Sequence, residues 1–296
     1  MSYDNTINRI TQYLAELYDE KYKMESVTEM LDAPDEIVQE TQAPRTIQIP
    51  RHEIDGLNDY DRNSGFSKGG ADVLWESHEL TVDRGRQFMI DRYDDIETLE
   101  VAFGRLTEEF MRTQVVPEID AYRFAEMADK AENSDSGSLD NTDTMEAIDT
   151  ADETLTEAEV PPEGRILFVN PTIKKHLKQS NVLEPWFDVQ TGEQVVDRRF
   201  FNLDGNLVIV VPKARFNDNI TLKDDSDGGF DTAGETINFM MVHPTAVLSI
   251  VKHRQPRIFG PDENQSADGY LYDYRVYHDI FAPENKTEGI YVHTES

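Results

Sequence analysis

The chain contains no cysteine, which removes disulfides, zinc–thiolate sites and thiol nucleophiles in one step. It has no apolar run of the length a membrane helix needs. Its first residues, MSYDNTINRI, offer neither a basic n-region nor an apolar h-region. Neither membrane insertion nor signal-directed secretion is therefore expected. Positive charge is scarce: 28 Lys and Arg stand against 59 Asp and Glu, a formal net charge of −31. Such a chain repels phosphates, so gripping DNA or RNA through a broad basic face is disfavoured. Lysine is the rarer base, 11 against 17 Arg. This acidic, lysine-poor balance suits concentrated salt, where the Debye length falls to about 3 Å at 1 M, and equally describes an ordinary acidic mesophilic protein.

The signatures of catalysis are missing as well. There is no GxxxxGKS/T phosphate loop, no GxSxG, no HExxH and no GxGxxG. The seven histidines, His52, His78, His176, His243, His253, His278 and His293, form no ligand-spaced pair. Asp59, Asp61 and Asn63 alternate like calcium-loop oxygens, but Ser64 and Gly70 stand where that loop needs Gly and a bidentate Glu. Glu118 and Asp120 lie two apart on a helix and do not share a face. The segment PEIDAYR thus reads as structural, with Arg123 bridging Asp120 at the surface. No catalytic residue, cofactor or metal site is assigned, and no enzymatic role.

What is present is a chain long enough, at 296 residues and 38% apolar, for one large or two moderate domains with a real core. The longest helical stripe runs from Asp94 to Ala131, with Ile96, Leu99, Phe103, Leu106, Phe110 and Met111 on one side. Unbroken, it would span about 55 Å. Pro117 lacks an N–H and crowds the carbonyl of Thr113, so a kink or restart is expected there, with Ile119, Tyr122, Phe124 and Met127 continuing the stripe.

Earlier in the chain, Asp4 or Asn5 can cap a helix bearing Ile7, Ile10, Leu14, Leu17 and Tyr18, and Ser26 with Glu29 forms a capping box for a short second helix. From Arg45 the period becomes 2 over TIQIPRHEI, with Pro50 marking an edge strand. ADVLWESHELTV and RQFMID resume the pattern after a polar, Gly-rich stretch that carries Tyr60 and Phe66. A long two-stranded projection of this kind has too little core of its own and should lie on a neighbour. Asp83-Arg84-Gly85-Arg86 reads as a turn presenting two arginines to carboxylates of another subunit.

Residues 132–163 hold eleven Asp or Glu and no Lys or Arg. Helical spacing of Met145, Ile148, Ala151 and Leu155 predicts a loop over 133–141, a helix over 143–159 capped by Asp143, and a stop at Pro161-Pro162. RILFVN is a buried strand and Pro171 opens a helix. Leu203-Asp204-Gly205-Asn206 is a hairpin signal, KDDSDGGFDTAGE a surface loop, and runs at 237–242, 246–251, GYLYDYRVYHDIFAP and GIYVH are strands. Helices and strands interleave without βαβα order, which makes the class α+β.

Five phrases in their order carry a resemblance: DGLNDYDRNSGF at the hairpin tip, WESHELTVDRGRQFMID leading into the long helix, RTQVVPEIDAYRFAEMA on it, PPEGRILFVNP after the acidic helix, and MMVHPTAVLSIVKHRQPRIF near the end. Over nearly its whole length the chain resembles tailed-virus major capsid proteins of the Hong Kong 97 type. The resemblance implies an N-terminal arm (1–44), an extended loop (45–93), a peripheral domain with a spine helix (94–142), a mixed β axial domain (143–256) and return strands to the peripheral domain (257–296). It implies self-assembly into hexamers and pentamers of an icosahedral shell enclosing double-stranded DNA without specific binding, assembled in the host cytoplasm. A separate scaffolding protein, a portal and a decoration protein are the partners it brings. Candidate inter-subunit contacts are Asp59, Tyr60, Asp61, Arg62, Phe66, Lys68, Arg84 and Arg86. Lys68 lies near the loop tip where the type member places a cross-linking lysine, but no local motif identifies an Asn partner, so no cross-link is expected. An encapsulin-like compartment shares the implied fold, and a halophilic metal-dependent hydrolase is the rival from another class.

Overall fold

The structure, a computed structural model, describes residues 26–32, 39–40, 46–60, 62–63, 65–92, 109–180, 202–224, 227–265 and 267–295. The expected first helix (Ile7 to Tyr18), the first half of the long helix (Ile96 to Leu106) and Asp61 lie outside them. In chain order the elements are β1 (Gln39–Glu40), β2 (Thr46–Ile54), β3 (Ala71–Glu79), β4 (Val82–Asp91), α1 (Val116–Lys130), β5 (Asn133–Ser136), α2 (Asp143–Glu157), β6 (Ile166–Val169) and α3 (Pro171–Gln179). There follow β7 (Asn202–Leu203), β8 (Asn206–Val210), β9 (Asn217–Leu222), β10 (Phe230–Val242), β11 (Leu248–Phe259), β12 (Gly269–Phe281) and β13 (Ile290–Thr294).

The strands form three sheets. The largest has the order β5-β13-β10-β6-β8-β7, with β9 paired to β10; a second has β11-β12-β4, and a third β1-β2-β3. The mixture of parallel pairs (β6 with β8, β13 with β5) and antiparallel ones gives the expected α+β class.

Alternation along the central strands explains why the large sheet is covered on both faces. Ile166, Phe168, Met240, Val242, Ile290 and Val292 face α1 and its Tyr122, Phe124 and Met127. Leu167, Val169, Phe239, Met241 and Tyr291 face the helices α2 and α3, meeting Ile148, Ala151, Leu155, Ile173 and Leu177. Buried on both sides, β6 is uniformly apolar, the reading that RILFVN invited. Asn170 caps α3 by accepting from the Ile173 N–H at 2.8 Å, and Pro171 follows at the first turn. Asp204 and Gly205 adopt positive φ of 50° and 86° between β7 and β8, the two-residue turn that Asp-Gly announced.

The long helix neither breaks nor restarts at its proline but passes it through a widened turn. Met111–Val115 forms a π turn, so the Val116 N–H reaches back five residues to the Met111 carbonyl before α1 begins with Pro117 in its first turn. The wider turn takes up the missing proline donor without a broken helix. From this joint, Val115 and Ile119 pack on Tyr272, Tyr274 and Val276 of the three-stranded sheet, while the later turns serve the large sheet. One helix therefore unites two cores.

Several expectations are corrected. Asp83-Arg84-Gly85-Arg86 is not a turn but the heart of β4, paired residue by residue with β12. Gly85 is what that pairing requires, since a Cβ there would lie 2.9 Å from the Tyr274 carbonyl oxygen. The expected loop at 133–141 begins as β5, held parallel to β13. Asp143 is the first residue of α2 rather than its cap: Thr142 holds the capping position, and the Asp140 carboxylate before it accepts from the Thr142 and Asp143 N–H groups, at 2.7 and 3.2 Å, and from the Thr142 hydroxyl. These bonds, the Thr142 hydroxyl first, hold the Asp140 carboxyl below its usual pKa. The surface loop expected through 235 is shorter, because β10 already begins at Phe230. The short helix expected after Ser26 is one 3-10 turn, Glu29–Leu31. The return segment 257–296 is divided between sheets, with β12 beside β4 and β13 in the large sheet against β10.

Candidate interaction surface

The hairpin β2–β3 projects from the body with little cover. Its inner end is anchored, where Ile47, Ile49 and Leu80 pack with Tyr277. Beyond that end the apolar side chains meet water: Ile54, Val73, Leu74 and Trp75 are all exposed, and Leu57 fully so. β1 pairs with β2 only at Ile47 and Gln48, so by Pro50 the strand is bonded on one side among the described residues, as an edge proline demands.

At the tip, Tyr60 and Phe66 stack edge to face with ring centroids 4.8 Å apart, yet Phe66 remains 88% exposed. Asp59, Arg62 and Lys68 lie in the same connecting segment and are exposed. Five expected contact residues are thus gathered on one outlying surface. The two arginines are elsewhere. Arg84 is committed within the chain: it forks onto both Glu118 carboxylate oxygens, at 2.9 and 3.3 Å, and donates to the carbonyls of Lys223 and Gly229. It ties β4, α1 and the β9–β10 loop together. Arg86 lines a cleft of about 560 Å³ between those same elements, with Phe88, Phe110 and Tyr274 on its wall.

The hairpin meets the body at Leu80–Thr81, and that joint is pinned. Asp279 accepts from the Thr81 N–H at 2.7 Å and its hydroxyl at 3.0 Å with one oxygen, and from the Tyr122 hydroxyl and Ile280 N–H, both 2.8 Å, with the other. Tyr277 adds a bond to the Leu80 carbonyl at 3.0 Å. Burial, with the Asp279 charge beside it, pushes the Tyr122 phenol well above its ordinary pKa, so it stays a donor.

A second buried network holds the segment before the hairpin. Asp120, expected to meet Arg123 at the surface, is fully buried and pairs instead with Arg215 at 2.9 Å. It also accepts from Ser26, the Val27 N–H and Thr28. Arg123 turns the other way, to Asp32 at 2.7 Å and the Thr28 carbonyl. Sequence spacing pointed to the neighbour on the same helix; the partners that matter lie 91 to 95 residues away. No group of three His, Asp or Glu able to hold a metal occurs among the described residues.

No family model and no curated protein matches the chain. Solved structures do. The capsid of the cyanophage P-SCSP1u aligns with a TM-score of 0.64 at 12% identity, covering 98% of this chain and 97% of that one. The mature capsid of bacteriophage PhiM1 aligns at 0.65 and 9% identity over 100% and 92%, and the head of Helicobacter pylori bacteriophage KHP40 at 0.63 and 11% over 99% and 95%. Alignments that cover nearly the whole of each chain show a shared fold. The chain has the Hong Kong 97-type capsid fold of tailed phages.

Proposed function

We propose that this chain is the major capsid protein of a tailed virus, copies of which close into the icosahedral head shell around double-stranded DNA. The observation that carries the reading is the hairpin, a long projection whose outer half leaves Ile54, Leu57, Val73, Leu74, Trp75 and Phe66 exposed among the described residues. Uncovered patches of this kind mark interaction sites, and a repeated contact between copies supplies the missing surface. The contact residues of the tip are Asp59, Tyr60, Asp61, Arg62, Phe66 and Lys68. Residues 45–93 form the extended loop and 94–142 the peripheral domain. Residues 143–256 form the axial domain and 257–296 the return strands, of which β13 joins β10 in the large sheet.

The role is structural rather than catalytic. Its partners are its own copies in hexamers and pentamers, a separate scaffolding protein, a portal and a decoration protein, and its place is the virion. With a charge of −31 the wall holds packaged DNA without gripping it. Electron microscopy of the purified chain tests this. Closed shells of uniform size support it, whereas a monomer under assembly conditions sinks it. Cargo protein in place of DNA inside particles from the native source would make it a cellular compartment instead.

A further inference from the structure

The two helices on one face of the large sheet carry opposite charge, and five carboxylates of one and two lysines of the other form no ion pair among the described residues. In α2, Asp143, Glu146, Asp149, Glu153 and Glu157 recur at spacings of three or four on the side away from the buried Ile148, Ala151 and Leu155. None of the five is in an ion pair among the described residues, where the α2 pair is Asp152 with buried Arg165. In α3, Lys174 and Lys175 directly precede His176 with no carboxylate in the helix, and neither of these two lysines meets one among the described residues. The helices share a core through Ile148, Leu155, Ile173 and Leu177, so their charged sides point away from it. Burial, then the nearby charges of Asp204 and Asp152, pushes the Asp149 carboxyl up.

We propose that the carboxylate stripe of α2 docks against the lysine face of α3 in the next copy around each ring of the shell. This rests on the capsid reading. A subunit bearing both patches on different elements suits a head-to-tail contact, which closes into rings when its rotation is right. At 0.15 M salt, repulsion between distant charges is screened beyond about 8 Å while pairs in contact keep most of their attraction. Each exposed pair is weak, but the contact recurs at every junction of the ring.

The cysteine-free chain allows a direct test. In oxidised shells of the Lys175→Cys/Glu153→Cys variant, a non-reducing gel should show a ladder of linked chains that neither single variant gives. At fixed salt, Lys174→Glu/Lys175→Glu and Glu153→Lys/Glu157→Lys should each lower shell or ring yield on the order of tenfold, with unchanged melting of the unassembled chain. Mixing the two variants should restore six-membered rings, in which reversed faces alternate, but not five-membered ones. Shells that form without a ladder and tolerate Lys174→Glu/Lys175→Glu overturn the proposal. So do shells of that variant that form normally but lose bound DNA, which would give the lysine face to nucleic acid. If the unaltered chain forms neither rings nor shells, the capsid reading itself falls.

Discussion

Asp120 shows how much one side chain can organise when it is placed beyond the reach of water. Its carboxylate is fully buried, faces Arg215 at 2.9 Å and receives bonds from Ser26, Val27 and Thr28. Removing one member of such a pair strands the other charge, at about 3–5 kcal/mol, whereas replacing both by apolar groups is often neutral. Asp120→Ala should therefore lower unfolding free energy by that amount in denaturant melts, and Asp120→Leu/Arg215→Met should recover most of it. Equal melts for Asp120→Ala and the parent chain would contradict the network. His278 makes the pH counterpart. Burial, then the Arg123 charge, lowers its pKa from 6.5 to about 3. The unfolded chain thus binds a proton in a range where the folded chain does not. Stability from this group is present above pH 6.5 and drains as pH falls toward 3, at up to about 1.4 kcal/mol per pH unit. His278→Gln should flatten that part of the stability–pH curve, and an unchanged slope would assign the acid sensitivity elsewhere.

At the scale of elements, the exposed hairpin lets folding be tested apart from the proposed assembly. Tyr60 and Phe66 touch each other but little else, so Tyr60→Ser/Phe66→Ser removes almost no burial from the isolated chain. Its melting should shift by no more than about 0.5 kcal/mol, the range of ordinary surface substitutions. Shell yield, measured by sedimentation, should fall sharply, and assembly at the parent level would show that the tip is not a contact. Which elements the sequence reveals follows the same division between local and distant causes. The turn at Asp204-Gly205, the cap at Asn170 with Pro171, the buried run of β6 and the irregular turn before Pro117 all rest on neighbours within a few residues. Those are legible from spacing and turn chemistry. Arg84 with Glu118, Asp120 with Arg215 and β5 beside β13 rest on chain segments 34, 95 and more than 150 residues apart, which no local pattern encodes. The Asp83–Arg86 stretch misled for a related reason. Gly85 looks like a turn residue until the Tyr274 carbonyl of β12 is placed against it. The tip residues of the candidate surface were legible because exposed aromatics on a thin projection are anomalous in any sequence, whereas Arg84 looked equally available and is already bound at home.

For the whole molecule the controlling quantity is the charge of −31 on every copy. At about 0.01 M salt the Debye length is about 30 Å, comparable to the size of a subunit, so each copy feels the summed charge of its neighbours. At 1 M it is about 3 Å, and only groups in contact interact. The hydrophobic contribution of the hairpin contact is weakened little by this change, while the repulsion opposing it grows steeply as salt is withdrawn. Shells formed at 1 M NaCl should therefore loosen or dissociate on dialysis to about 0.01 M, seen as a fall in light scattering and as broken particles in electron micrographs. Magnesium chloride separates the two ways in which salt can act. If screening alone holds the copies together, Mg²⁺ and Na⁺ should protect equally at equal ionic strength. If carboxylates of adjoining copies share a divalent ion, a few millimolar Mg²⁺ should protect where the matching ionic strength of NaCl does not. Particles that stay intact at low salt without either ion would mean that assembly has already neutralised the acidic surface, with the uncovered hairpin contacts strong enough to hold what remains.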